Sequence, residues 1–316
     1  QVTIQRGPEG VERVWERQHP EYRDWIEVFQ QMLEAVSDRP AAKPTLAPVD
    51  TADLLNVIPI GDPHFGSYSW PDESGEAWNL QEAKRVHIAG VAQLVRAMPP
   101  SRECVLLNLG DMFDSNDSRN RTPRSGHVMD PHGTFGEILA AACEATIQMI
   151  DLCLRKCRSV EYVAIEGNHD PEASAALSVY VHAYYRNEPR VTTRLLPYVY
   201  WYRRHGNVLL GSHHGHGCKP ENLPLLMAED RPEDWGQTQY RYWMIGHFHH
   251  PQLFGKGYGS TKVEGFNTLA ANNKHHHDEG YRGHRTITGI VFDEHGEKER
   301  HTRSIGAINA RPVEPA

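Results

Sequence analysis

Val105-Leu-Leu-Asn-Leu-Gly110-Asp111-Met-Phe-Asp114 is the stretch whose reading decides the fold. An apolar run stopped by Gly110 reads as a buried strand, and it delivers two carboxylates, Asp111 and Asp114, at its carboxyl end. In open α/β sheets the chemistry gathers at that edge. Leu54-Leu-Asn-Val-Ile-Pro-Ile-Gly61-Asp62-Pro-His64 has the same form and comes before it. Tyr162-Val-Ala-Ile-Glu-Gly167-Asn168-His169-Asp170 and Asn207-Val-Leu-Leu-Gly-Ser-His213-His214-Gly-His216 come after it. Tyr242-Trp-Met-Ile-Gly246-His247-Phe-His249-His250 closes the set. Each is an apolar run ending in Gly or Ser, followed by Asp, Asn or His.

Between these strands the periodicity turns helical. A helix is predicted over 80–97, stopped by Pro99-Pro100. Another covers 137–157, with Ile138, Leu139, Ile147, Ile150, Leu152 and Leu154 as its apolar positions. A third runs over 172–184, opened by Asp170 and Pro171. Further strands are expected at 194–202, 208–211, 262–269 and 286–292. Strand and helix in alternation predict a layered α/β core with mixed or parallel pairing.

The flanks read differently. Val14, Trp15, Tyr22, Trp25, Ile26, Phe29, Met32, Leu33 and Val36 recur at three- and four-residue spacings, which predicts a helix over 10–37. It would pack on the domain or connect to an upstream module. A Pro- and Ala-rich linker follows at 39–48. The expected organisation is a helix and linker over 1–50 and one domain over 51–316. Within that domain the motif core is 54–250, with C-terminal strands and a His-rich loop over 251–308 and a loose tail from Asn309.

The chain of 316 residues is 39% hydrophobic and 23% charged, as suits a globular protein. No apolar run is long enough to cross a bilayer and no secretory signal is visible, so a cytoplasmic setting is expected. Five cysteines, an odd number without a CxxC pair, argue against a disulfide framework or a thiolate zinc site. A net charge of -8 disfavours tight non-specific binding to a polyphosphate backbone. Bound divalent cations would invert the field locally, so a phosphate substrate stays open. Of the 20 histidines, more than half lie in the five stretches or in one later cluster.

Asp, His and Asn together make a ligand set for a borderline or hard divalent metal, with imidazole nitrogen, carboxylate and amide oxygen and no thiolate. A single Asp after Gly is ordinarily a turn or cap residue, and a single His a surface or core group. Asp62-x-His64 and His247-x-His249 carry more weight, because alternate residues of an extended segment point the same way.

Asp62-x-His64, Gly110-Asp111-x-x-Asp114, Gly167-Asn168-His169-Asp170, His214-Gly215 and Gly246-His247-x-His249 resemble, in order, the motifs of the calcineurin-like metallophosphoesterases. The resemblance spans 54–250 and leaves both flanks outside. It implies a four-layer α/β/β/α sandwich with a dinuclear metal site at the carboxyl ends of the strands. One cation would be held by Asp62, His64, Asp111 and His249, the other by Asp111, Asn168, His214 and His247, with Asp111 bridging. His213 and His216 compete with His214 for its place, since His216-Gly217 has the same two letters. The physical logic is that of two-metal hydrolysis: cations roughly 3.5–4 Å apart lower the pKa of a shared water and neutralise the phosphoryl oxygens. His169, beside a ligand without being one, is expected to assist the leaving group as general acid, with Asp114 accepting a hydrogen bond from its other ring nitrogen.

Ser115-Asn116 after Asp114, and Asp170 after His169, depart from the pattern of the protein phosphatases. The set is more similar to the DNA-repair exonuclease branch and other bacterial or phage phosphodiesterases. The expectation is therefore a phosphodiester hydrolase acting on DNA or RNA. The alternatives are a small-substrate phosphodiesterase or phosphatase of nucleotide type, and a scaffold subunit without activity. Manganese is the expected metal, with Fe, Zn²⁺ or Mg²⁺ also compatible. Arg119, Arg121 and Arg124 on the long 115–136 loop, His213 and His216, and Tyr281 and Arg282 in the His-rich segment are the expected substrate contacts. A plain solvated loop is the other reading of that segment. Nuclease relatives often work as dimers, so a homodimer is compatible with the resemblance.

Overall fold

The computed structural model describes residues 2–7, 10–16, 51–123, 126–249, 252–258, 261–271 and 283–310. The chain divides into two compact units, Gln1–Pro40 and Ala41–Ala316. In the first, β1 (Val2–Gly7) pairs antiparallel with β2 (Gly10–Glu16), Gly7 opposite Gly10. This corrects the helix expected from residue 10. Only Val14 and Trp15 of that helical pattern fall in the paired segment, and β-branched and aromatic residues there favour an extended chain. The rest of the predicted helix and the linker lie outside the described residues.

The second unit begins with β3 (Ala52–Ile60), followed by α1 (Pro71–Ser74) and α2 (Leu80–Ala97). β4 (Ser101–Asn108), α3 (Phe135–Leu154), β5 (Cys157–Ala164), α4 (Pro171–Tyr185) and the short β6 (Val191–Thr192) come next. Then come β7 (Trp201–His205), β8 (Val208–His213), α5 (Leu223–Asp230), α6 (Pro232–Gln237) and β9 (Tyr240–Ile245). β10 (Gln252–Tyr258), β11 (Thr261–Gly265), β12 (Thr286–Asp293), β13 (Gly296–Ser304) and α7 (Ile305–Ala310) complete it.

Two mixed sheets result, six-stranded in the order β13-β12-β3-β4-β5-β6 and five-stranded in the order β10-β11-β9-β8-β7. They face each other across Leu55, Val57, Val105, Leu107, Val163, Trp201, Leu210, Met244 and Phe292. α2 and α3 cover the outer face of the larger sheet. On the smaller sheet, α5 closes a second cluster of Leu209, Leu223, Met227, Trp243 and Val263. The second unit is thus an α/β/β/α four-layer sandwich. Truncating a side chain such as Leu107, with no exposed surface, costs about 2–5 kcal/mol.

Local chemistry sets the element ends. The Asn79 side chain accepts the Glu82 N–H at 2.9 Å and caps α2, and Pro99 follows its end. α3 begins two residues earlier than predicted because Thr134 and Glu137 form a capping box. The strand expected at 194–202 is displaced to Trp201–His205. Pro197 lacks the N–H that a ladder needs, and Arg194 instead lies over the Tyr198 ring at 4.4 Å.

The register positions the site. Ile60 pairs with Asn108 and Asn108 with Ala164, so three parallel strands stop level with one another. In the other sheet His213 pairs with Ile245. Each of the five motif segments therefore leaves its strand at a common edge, three from one sheet and two from the other. Among the described residues, no helix is long and apolar enough to cross a membrane, and the five cysteines are free.

Candidate metal centre

Loops from the two sheets are laced together before any side chain reaches the centre. The His64 N–H donates to the Asp111 carbonyl at 3.1 Å, and the Asp114 N–H to the Phe65 carbonyl at 3.0 Å. The His247 N–H reaches both carboxylate oxygens of Asp62 at 3.0 Å, which ties the smaller sheet to the larger. The Thr268 hydroxyl donates to the Asp62 carbonyl at 2.6 Å.

Five residues of the centre have left-handed backbone: Asp62 at φ 40°, His64 at 45°, Asp111 at 48°, His247 at 68° and His249 at 54°. The only other non-glycine residue of this kind among those described is Asn120 at 52°. Such a conformation costs of order 1–3 kcal/mol per residue and persists where the surroundings over-determine it. Its concentration at one sheet edge, five of the six such residues among those described, marks that edge as a strained site. Gly167 is required for a different reason. A Cβ there would stand 2.2 Å from Oδ1 of Asp111, so only glycine admits the carboxylate.

The side chains form three donor triads, Asp62, His64 and His249; Asp111, His214 and His247; and a third of His64, Asp114 and His169, which shares His64 with the first. Nε2 of His64 lies 3.1 Å from Nε2 of His249. Nε2 of His214 lies 3.0 Å from Oδ1 of Asn168 and 3.1 Å from Oδ2 of Asp111. Two donors bound at about 2.0–2.2 Å to one cation, at tetrahedral or octahedral angles, are roughly 3–3.5 Å apart. His214 makes the case electrostatically as well. Its Nδ1 is 2.8 Å from the Leu109 carbonyl and must carry a proton to donate there. Nε2 then faces the two oxygens either as an N–H donor in the charged ring or, in the neutral ring, as a lone pair that a cation would join to them.

The titration shifts express the same field. Burial opposes charge on His214, but Asp111 and Asp62 outweigh it and raise the imidazole to about 9. His64 is likewise raised to about 9 against burial, chiefly by Asp114. Burial opposes ionisation of Asp111, yet His214, His169 and His64 hold its carboxyl far below the ordinary range. Burial pushes Asp62 up to about 6, with His214 pulling the other way. A field that holds extra protons on buried imidazoles also suits divalent cations, and the nitrogen and oxygen donors fit Mn²⁺, Fe, Zn²⁺ or Mg²⁺.

The structure thus brings together Asp62, His64, Asp111, Asn168, His214, His247 and His249. His169 stands beside them. Its N–H donates to Oδ1 of Asp111 at 2.9 Å, and its Nε2 is 3.9 Å from Oδ2 of the same residue. Asp114 acts differently from the expectation. The group that meets Nδ1 of His169 is its backbone carbonyl, at 2.9 Å, whereas its carboxylate lies 3.2 Å from Nδ1 of His64. The loop turns the Asp114 side chain towards the other imidazole.

A cleft of about 1280 Å³ opens over the centre, with His64, Asp114, Asn168, His169, His247 and His249 in its floor. His216 lines it, as do Thr122, Val128 and Met129 of the long loop. His213 does not. It is the last residue of β8, stacks on Tyr200 at 4.8 Å, and accepts the Gly215 N–H at 3.0 Å on Nδ1. Arg119 and Arg121 also turn elsewhere, lining a separate hollow of about 450 Å³, where Arg119 is paired with Asp117 at 2.8 Å. Charge on a loop does not tell which way the loop presents it. Arg124, Tyr281 and Arg282 lie outside the described residues. Arg285, at the end of the His-rich segment, is structural: it donates to the Leu269 carbonyl at 2.8 Å and lies over Trp78 at 4.8 Å.

Sequence reasoning passed over Tyr68, Trp70 and Lys219 in the cleft wall. The alternation Ser67-Tyr68-Ser69-Trp70 was the available signal for the first two.

No family model matches this chain, and no curated protein does. Among solved structures, a dimetal phosphatase from Danio rerio is similar at 9% identity and a TM-score of 0.41, over 81% of this chain and 99% of that one. Yfce, a phosphoesterase from E. coli, is similar at 15% identity and a TM-score of 0.38, over 78% and 98%. Vps29 from Entamoeba histolytica, solved with Zn²⁺, is similar at 11% identity and a TM-score of 0.36, over 79% and 98%.

Proposed function

We propose that this protein is a metal-dependent phosphoester hydrolase whose substrates are phosphodiesters of nucleotide type. The observation that carries the reading is His214, whose Nε2 meets Asn168 and Asp111 at 3.0 and 3.1 Å within one of the donor triads. Asp62, His64 and His249 would hold one cation, and Asn168, His214 and His247 the other, with Asp111 between them. When bound, such a pair supplies charge neutralisation for phosphoryl oxygens and lowers the pKa of water. Manganese is the proposed ion.

The chain's own residues do the rest. His169 keeps a proton on Nδ1 by donating it to the Asp114 carbonyl, so Nε2 is left to face the cleft and Asp111. With both ring nitrogens protonated, the imidazolium gives its Nε2 proton to the departing alkoxide and keeps the one on Nδ1. The Asp114 carboxylate fixes the ring of His64 and raises its basicity as a ligand. The five free cysteines accord with a reducing, cytoplasmic setting.

Action on long DNA or RNA is the second reading. Against it, Lys219 is the one Lys or Arg among the described lining residues, and Glu73, Asp114 and Asp130 line the same cleft. A long polyanion gains little there, and a short diester fits better. A manganese-dependent activity panel tests both readings, with bis-p-nitrophenyl phosphate, p-nitrophenyl phosphate, a dinucleotide, cyclic nucleotides, and single- and double-stranded DNA. Turnover of the diesters and the dinucleotide is expected. Turnover of the monoester alone would overturn the diesterase reading, and efficient digestion of long DNA would favour the second one.

A further inference from the structure

Beyond the metal centre, the wall of the cleft carries a feature that the hydrolytic reading does not use. Residues 67–70 run extended, Ser67 bridged to Pro131 and Ser69 to Trp78. Alternate side chains of such a segment project to opposite sides. All four residues line the cleft over the centre; Ser67 and Ser69 are buried, whereas Tyr68 is 39% and Trp70 49% exposed. Exposing two large aromatic rings to water on one wall is unfavourable without a compensating role. Tyr68 is held in place, since its ring stacks on His132 at 5.8 Å and 22°. Met129, Glu73 and Asp130 line the same cleft.

We infer that the Tyr68–Trp70 wall is a nucleobase subsite, which binds one base of the phosphodiester by stacking and sets substrate choice. The inference rests on the hydrolytic reading and names the substrate class for it. Stacking uses the π-face that every base has, so it selects bases as a class. The carboxylates of Glu73 and Asp130 are suited to accept from exocyclic amino groups of adenine, cytosine or guanine. The same two charges repel further phosphates in this cleft, which limits recognition to a single nucleoside.

The test compares the manganese-loaded protein on the dinucleotide ApA and on its analogue lacking both bases, with products followed by chromatography. Wild-type protein should prefer ApA by about 10-fold or more in kcat/KM, the effect of one stacked base. Trp70→Ala should bring the ratio of the two substrates close to one, through KM, and Trp70→Phe should restore most of it. Equal use of the two substrates by the wild type, or a ratio unmoved by Trp70→Ala, would overturn the subsite while bis-p-nitrophenyl phosphate turnover upholds the hydrolase. If neither diester nor bis-p-nitrophenyl phosphate is cleaved, the hydrolytic reading fails, and titration with AMP by tryptophan fluorescence decides the subsite alone. Saturable quenching that Trp70→Ala abolishes supports it, and no saturable quenching overturns it.

Discussion

The carboxylate of Asp114 lies 3.2 Å from Nδ1 of His64, and the same residue offers its backbone carbonyl to Nδ1 of His169 at 2.9 Å. One residue thus aligns two imidazoles by two different groups. The roles separate under mutation. Asp114→Asn removes the charge that supports His64 and leaves the carbonyl under His169. It is expected to weaken metal affinity by roughly 10–100-fold. A metal titration by calorimetry measures this, and unchanged affinity would detach Asp114 from the metal centre.

His169→Ala should keep the full complement of metal and lose turnover by about 10²–10⁴-fold. The loss should be greatest on substrates with poor leaving groups, because those need the proton most. Metal content together with kcat on two diesters of different leaving-group pKa checks this. Loss of metal in the variant would make His169 a ligand.

Gly167→Ala brings a methyl group to 2.2 Å from Oδ1 of Asp111. The backbone amide of Asp111 is equally close, at 2.3 Å, so the clash cannot be relieved by one rotamer. The expected result is a protein with native secondary structure by circular dichroism and sharply reduced metal binding. A variant that binds metal as the wild type does would show that the carboxylate sits elsewhere.

His87 gives a pH dependence that is independent of the metal centre. It is buried on α2 against Phe65, its ring centroid 5.6 Å away, and its Nδ1 is 2.7 Å from the Ala83 carbonyl. Burial lowers its pKa from 6.5 to about 4. The folded pKa lies below the unfolded one, so acid protonates the unfolded chain first. This contribution to stability is complete above pH 6.5 and is lost as the pH falls towards about 4. The loss amounts to about 3 kcal/mol. Urea unfolding at several pH values should show a shallower acid slope in His87→Leu than in the wild type, and equal slopes would contradict the assignment.

The cluster of Asp, Asn and His side chains was legible because it is written in consecutive letters at strand ends, where backbone register makes the segments meet. α2 was legible end to end, as Asn79 and Pro99-Pro100 are local signals. Side-chain direction in irregular segments was not. Asp114 turns to His64 and Arg119 to Asp117 for reasons of loop geometry that no periodicity carries. The segment at 10–16 reads as either state because its apolar residues are too few to define a period, and strand pairing decided it. Tyr68 and Trp70 were hidden by their polar neighbours, since two serines between aromatic residues resemble a loop until Ser67 and Ser69 pair.

The most direct test of the central claim is the metal content of the purified protein after loading with Mn²⁺ and removal of excess, read by elemental analysis alongside bis-p-nitrophenyl phosphate turnover. The account predicts two equivalents per chain, loss of both turnover and metal on chelation, and recovery of both on adding Mn²⁺ back. A chain that binds no metal, or that hydrolyses the diester equally well after chelation, would contradict it.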